Sequence, residues 1–148
     1  MTVTFFGHGD LQYDKVVEEE TKKYLKELII NGADKFLLGG DGNFDNMCSK
    51  IINELKIQYP KIKSILVISY LNKKYNTDKY DETIYPPLES TPLKFAIIKR
   101  NQWMVQNSEI IVAYVKHSWG GANKALIYAK QKRKHIINIA DILEKNKK

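Results

Sequence analysis

Three short stretches set glycine beside groups that hold anions or move protons. They are Gly7-His8-Gly9, the run from Gly39 to Asp45 (GGDGNFD), and the run from Lys116 to Asn123 (KHSWGGAN). Glycine lets the backbone come close to a ligand. Where a helix opens after such a turn, its first N–H groups are free and carry partial positive charge, which suits phosphate. The Gly120-Gly121 pair follows the strand-like EIIVAYV and precedes a helix-like run, so it is the strongest phosphate candidate, extended by Ala122 and Asn123. A fourth group is Lys99-Arg100-Asn101. Arginine pairs with phosphate or carboxylate, and Asn101 could hydrogen-bond a base or a ribose; the alternative is a solvated basic turn. The carboxylates near these turns are Asp10, Asp41 and Asp45. Asp41 could hold a ribose hydroxyl, and Asp45 is expected to cap the helix that follows it. His8 and His117 could contact phosphate or transfer protons, or be polar loop residues. Trp119 could stack on a base or cover the turn, whereas Trp103 is expected in packing or in an oligomer contact.

The elements that would position these residues alternate along the chain. Thr2–Phe6 reads as a strand. Asp14 could cap a helix whose apolar face carries Val17, Thr21, Tyr24, Leu25, Leu28 and Ile29, ending at Asn31-Gly32. Lys35–Leu38 is a second strand, and a helix from about Asp45 to Ile57 follows. SILVIS, Ser64–Ser69, is a continuous apolar strand of the kind found in sheets covered on both faces. Leu71–Pro92 is polar and rich in turn residues, and reads as one long loop framed by Tyr70, Tyr75, Tyr80 and Tyr85. These tyrosines either close over an adenine or anchor the loop. Leu93–Asn107 has helical spacing at Phe95, Ile98, Gln102 and Val105. Glu109–Val115 is the fourth strand, Gly121–Gln131 a helix, His135–Ile139 the fifth strand, and Asp141–Asn146 a last short helix.

This is an α/β pattern: a Rossmann-like, mainly parallel five-stranded sheet with helices on both faces. Right-handed crossovers make the order 3-2-1-4-5 the natural one. Ligands in such sheets sit beyond the carboxyl ends of the strands, where the order reverses. Here that is between the first and fourth strands, and the three glycine turns converge there. One domain over residues 1–148 suits the length, with a short basic tail from about 144 to 148.

Composition narrows the classes further. No apolar run approaches the roughly 20 residues that span a bilayer, and the start MTVTFFGHGD lacks the charge-then-apolar order of a secretory signal. The single cysteine, Cys48, falls on an apolar helix face and is expected in the core. A cytoplasmic protein is expected. Net charge is +7, mostly from lysine mixed with acidic residues, which either favours polyanions and phosphorylated ligands at long range or is a lysine-rich solvated surface. No residue cluster has metal-ligand spacing.

Together, FFGH at the start, GGDGNFD, KRNQWMV and WGGANKALIYA resemble the SLOG superfamily, named for Smf/DprA and the cytokinin-activating LOG enzymes. The nearest likeness is to its stand-alone YpsA-like branch of bacteria and phages, and it extends to about Ile139. The resemblance implies a Rossmann-like fold that binds nucleotides or nucleotide-derived molecules. Gly39, Gly40 and Asp41 would line the site, Arg100 and Asn101 would face the ligand, and Gly120, Gly121, Ala122 and Asn123 would hold phosphate. The sequence departs from the LOG phosphoribohydrolases in carrying Ala122 where relatives often have threonine. No carboxylate follows it before Asp141. Lys50 stands where relatives often carry glutamate.

These departures favour binding over catalysis. The expectation is a sensor or sequestering protein for a nucleotide-derived small molecule, such as an ADP-ribose-type or cyclic-nucleotide signal, with no further cofactor. The resemblance also leads us to expect a homo-oligomer. The alternative is hydrolysis of a nucleoside monophosphate at its glycosidic bond, with Asp41 or Asp45 in place of the missing glutamate. Single-strand nucleic-acid binding ranks last, because the positive charge is dispersed and the chain lacks the additional domains of the DprA branch.

Overall fold

The computed structural model describes residues 1–147. The β-branched and aromatic run at the start forms β1 (Thr2–Gly7). Its alternating side chains serve both sides of the sheet: Val3 and Phe5 enter one core, Phe6 the other. Asp14 caps α1 (Lys15–Ile30) by accepting from the Val17 N–H at 3.0 Å, and Val17, Thr21 and Leu25 form its buried stripe. After Asn31-Gly32 come β2 (Lys35–Leu38), α2 (Asn43–Gln58) and β3 (Lys63–Val67). A three-residue strand, β4 (Glu82–Ile84), and a 3-10 turn over Leu93–Phe95 precede α3 (Ala96–Gln106). Then follow β5 (Ile110–Tyr114), α4 (Gly121–Gln131), β6 (His135–Asn138) and α5 (Ile139–Asn146).

The sheet has six strands in the order β4-β3-β2-β1-β5-β6, all parallel. α1, α2 and α5 pack on one face around Leu25, Phe36, Phe44 and Ile51. α3 and α4 pack on the other around Leu37, Met104, Ile111 and Leu126. The order reverses between β1 and β5, where Gly7 lies opposite Tyr114.

Two expectations need correction. The sheet has six strands, not five, because the Leu71–Pro92 excursion contains β4, which pairs beside β3 at Ile65–Glu82. β4 escapes a reading by apolar pattern because it is an exposed edge strand of three residues, ETI, with no apolar run. The inward face of α3 is Ala96, Arg100, Met104 and Val105, while Phe95 and Ile98 are 43% and 41% exposed. Hydrophobic spacing could not anticipate a buried arginine satisfied by carbonyl groups. The expected last helix forms as α5, Ile139–Asn146; Lys148, the end of the expected basic tail, lies outside the described residues.

Candidate functional site

β1, β2 and β5 all end at the same edge of the sheet, and a cleft of about 110 Å³ lies there. Gly7, Gly39, Asp41, Asp45, Arg100, Asn101, Gly121 and Ala122 line it, against an apolar wall of Phe5, Phe6 and Met104. Eight of the residues singled out by type and spacing thus meet in one place. Gly40 turns instead toward a small recess with Leu66, Tyr75 and Tyr80. His8, Trp119, Gly120 and Asn123 flank the cleft through their neighbours in sequence rather than lining it.

Arg100 is the centre of the arrangement. It is only 5% exposed. Its Nη1 donates to the Gly39 carbonyl at 3.0 Å and to the Val67 carbonyl at 3.4 Å, and its Nε and Nη2 donate to Asn101 Oδ1 at 3.2 Å. A Cβ at position 39 would lie 2.9 Å from Arg100 Cζ, so any other residue there would push the guanidinium from its place. The guanidinium lies 3.9 Å from Asp41 Oδ2, and Lys73, from the long excursion, reaches Asp41 Oδ1 at 3.5 Å.

Asp45 does not cap α2, contrary to expectation. The N-cap is Gly42, with no side-chain cap, and the Asp45 carboxylate turns back to accept from the N–H groups of Gly39 at 3.1 Å and Gly40 at 3.0 Å. It therefore pins the turn after β2. Burial pushes its carboxyl up to about 6, against the pull of Arg100 and the two N–H groups. A carboxyl of that kind can exchange a proton near neutral pH.

The start of α4 is open. Its N-cap is Gly120, at φ 93°, a left-handed conformation suited to glycine, and no side chain caps it. The first helical bond runs from the Lys124 N–H to the Gly120 carbonyl. The N–H groups of Gly121, Ala122 and Asn123 precede it, so they are the donors a helix start offers to an anion. α2 differs, because the Asn43 N–H there is taken by the Gly9 carbonyl at 3.0 Å.

His8 and His117 follow the adjacent ends of β1 and β5, and strand pairing brings their rings into a stack, 3.6 Å between centroids. His117 in turn stacks on Trp119 at 3.8 Å. His8 is buried, and its Nε2 accepts from the Lys116 N–H at 3.0 Å. Burial first, then the neighbouring His117, holds its pKa below the ordinary histidine value. Two of the framing tyrosines anchor the excursion: Tyr75 Oη accepts from the Tyr70 N–H, and Tyr70 Oη donates to the Leu93 carbonyl. Lys50 is exposed on α2 and pairs with Glu18 at 2.9 Å, outside the cleft lining. Trp103 packs against the second core.

Sequence reasoning missed Lys73, whose place over Asp41 depends on the path of the excursion. It also missed the apolar wall, whose strand residues read simply as core. A larger groove, about 620 Å³, runs along the β6 edge past Tyr24, Leu28, Lys130, Ile137 and Lys145. It has no buried charge, so the smaller cleft is the better candidate. Among the described residues no group of three His, Cys, Asp or Glu side chains could hold a metal ion. Nor is any helix among them long and apolar enough to cross a membrane.

Among solved structures, the DNA processing protein A of Streptococcus pneumoniae matches with a TM-score of 0.66 at 18% identity, over 91% of this chain and 48% of that one. The Helicobacter pylori protein of the same name, described for its single-stranded DNA binding, matches at 0.64 and 16%, over 99% of this chain and 72% of that one. The molybdenum cofactor carrier protein of Chlamydomonas reinhardtii matches at 0.58 and 16%, over 91% and 74%. The chain has the fold that these proteins share. At these identities the likeness is one of fold, and it spans about half of the S. pneumoniae chain. No protein-family model matches the sequence, and no curated protein does so significantly.

Proposed function

We propose that this SLOG domain binds a small phosphate-bearing, nucleotide-derived molecule in the cleft between β1 and β5, as a sensor or sequestering protein. The observation that carries the reading is a single cleft bounded by a buried guanidinium, Arg100, and by the uncapped start of α4. The N–H groups of Gly121, Ala122 and Asn123 would take the phosphate. Asp41 would accept from ribose hydroxyls. Asn101 accepts from Arg100 through Oδ1, so its amide nitrogen is left to donate. An ADP-ribose-type or cyclic-nucleotide signal satisfies this set. A cytoplasmic location and a homo-oligomer complete the reading; the exposed Leu93, Phe95 and Ile98 near the start of α3 supply an apolar surface for self-contact. Calorimetric titration with AMP, ADP-ribose and cyclic dinucleotides tests the reading, and no binding of any of them at about 1 mM would refute it.

Two observations favour other readings. The raised pKa of Asp45 places a proton donor in the cleft, which suits hydrolysis of a nucleoside monophosphate. Release of free base on incubation would reveal it. The likeness to the H. pylori protein raises single-stranded DNA as a partner, the reading that ranks last on the sequence alone. DNA binding would weaken steeply with salt.

A further inference from the structure

The cleft is too small for a whole nucleotide. Pockets that enclose drug-sized ligands measure about 300–1,000 Å³, whereas this one measures about 110 Å³. It has room for a phosphoryl group and part of a sugar. The base of any nucleotide bound there must lie outside the lip.

One feature at the lip has the chemistry to receive it. Trp119 immediately precedes Gly120-Gly121, and it remains 66% exposed although one face of its indole is covered by His117. The three rings form a column, His8 on His117 on Trp119, with centroid spacings of 3.6 and 3.8 Å and both interplanar angles 14°. The column is fixed at its buried end, where the Lys116 N–H donates to His8 Nε2 and the Tyr13 hydroxyl donates to the His8 carbonyl. His117 Nδ1 also lies 3.2 Å from the Trp119 carbonyl, which ties the two outer members together. An indole held this way loses little freedom when a fourth ring is added.

We propose that Trp119, backed by His117 and His8, is the base-stacking platform of the site, and that its ligand is a phosphorylated nucleoside rather than a phosphorylated sugar alone. This rests on the phosphate reading of the cleft. His117 and His8 are positioning residues, since they act through the indole. Stacking of a base on an aromatic side chain is worth about 1–3 kcal/mol, so removing the indole should weaken nucleotide binding by roughly tenfold.

The test compares AMP with ribose 5-phosphate by calorimetry, on the intact protein and on Trp119→Ala. AMP is expected to bind the intact protein roughly tenfold more tightly than ribose 5-phosphate. Trp119→Ala should erase that advantage while leaving ribose 5-phosphate affinity unchanged. In a Trp103→Phe background, AMP but not ribose 5-phosphate should quench the remaining tryptophan fluorescence. His117→Ala should reduce both the AMP advantage and the quenching. Equal affinities for the two ligands would overturn the platform while leaving the phosphate site standing. So would an AMP advantage that survives Trp119→Ala, or an equal loss for both ligands, which would make Trp119 a cover for the turn. Binding of neither ligand would overturn the phosphate reading and the platform with it.

Discussion

Replacing Asp45 with asparagine isolates the electrostatics of the turn after β2. Both N–H groups, of Gly39 and Gly40, donate to the same carboxylate oxygen, Oδ2. An asparagine with its amide oxygen in that place retains both bonds and carries no charge. The Asp45 carboxyl is raised from an ordinary 3.8 to about 6 by burial. Between those values the folded protein binds a proton that the unfolded chain releases, so the contribution of Asp45 to stability is complete below about pH 4 and is lost as pH rises through about 6. A shift of about two units at about 1.4 kcal/mol each gives a loss of roughly 3 kcal/mol. The asparagine of the variant does not titrate. The stability of Asp45→Asn minus that of the native protein should therefore rise by roughly 3 kcal/mol between about pH 4 and about pH 7.5, and then level. Asp34 and Asp81, whose pKa values are lowered, shift stability the other way but cancel in the difference. Urea unfolding followed by circular dichroism at several pH values gives the curve. A difference that stays flat or shrinks over this window would refute the reasoning.

The other predictions concern the two walls of the cleft. A Cβ added at Gly121 meets nothing within 4 Å, so Gly121→Ala should leave the stability to urea within about 0.5 kcal/mol of native. The same methyl crowds the open N–H groups, and nucleotide affinity measured by calorimetry should fall by about tenfold or more. Gly39→Ala, which drives a methyl against Arg100, should lower stability by about 1–3 kcal/mol in the same unfolding assay and lower affinity as well. Arg100→Met leaves the Gly39 and Val67 carbonyls without their donor and should cost at least about 2 kcal/mol. Removing the cation should also move the Asp45 titration to higher pH, visible as a displaced window in the pH series. Incubation with nucleoside monophosphates should release no free base by chromatography.

The alternation of strands and helices was legible because each element carries its own period and stop signal. Asp14, Asn31-Gly32 and the apolar run of β3 show this directly. The convergence of the glycine turns was legible too, since a right-handed parallel sheet brings the ends of β1, β2 and β5 to one edge. Features set by long-range partners were not legible. Asp45 looks like a helix cap by position, yet the turn after β2 offers it two N–H donors and Arg100 offers a charge. Arg100 breaks the apolar face of α3, and only the Gly39 and Val67 carbonyls make that burial tolerable. β4 is held by pairing with β3 rather than by its own composition. The stack of His8, His117 and Trp119 joins residues from opposite ends of the chain, and nothing local announces it.

The most direct test of the central claim is amide chemical-shift mapping by NMR during titration with ADP-ribose. The account predicts saturable shifts at Gly39, Gly40, Gly121, Ala122 and Asn123. Shifts confined to the β6-edge groove around Tyr24, Lys130 and Lys145, or no shifts at millimolar ligand, would contradict it.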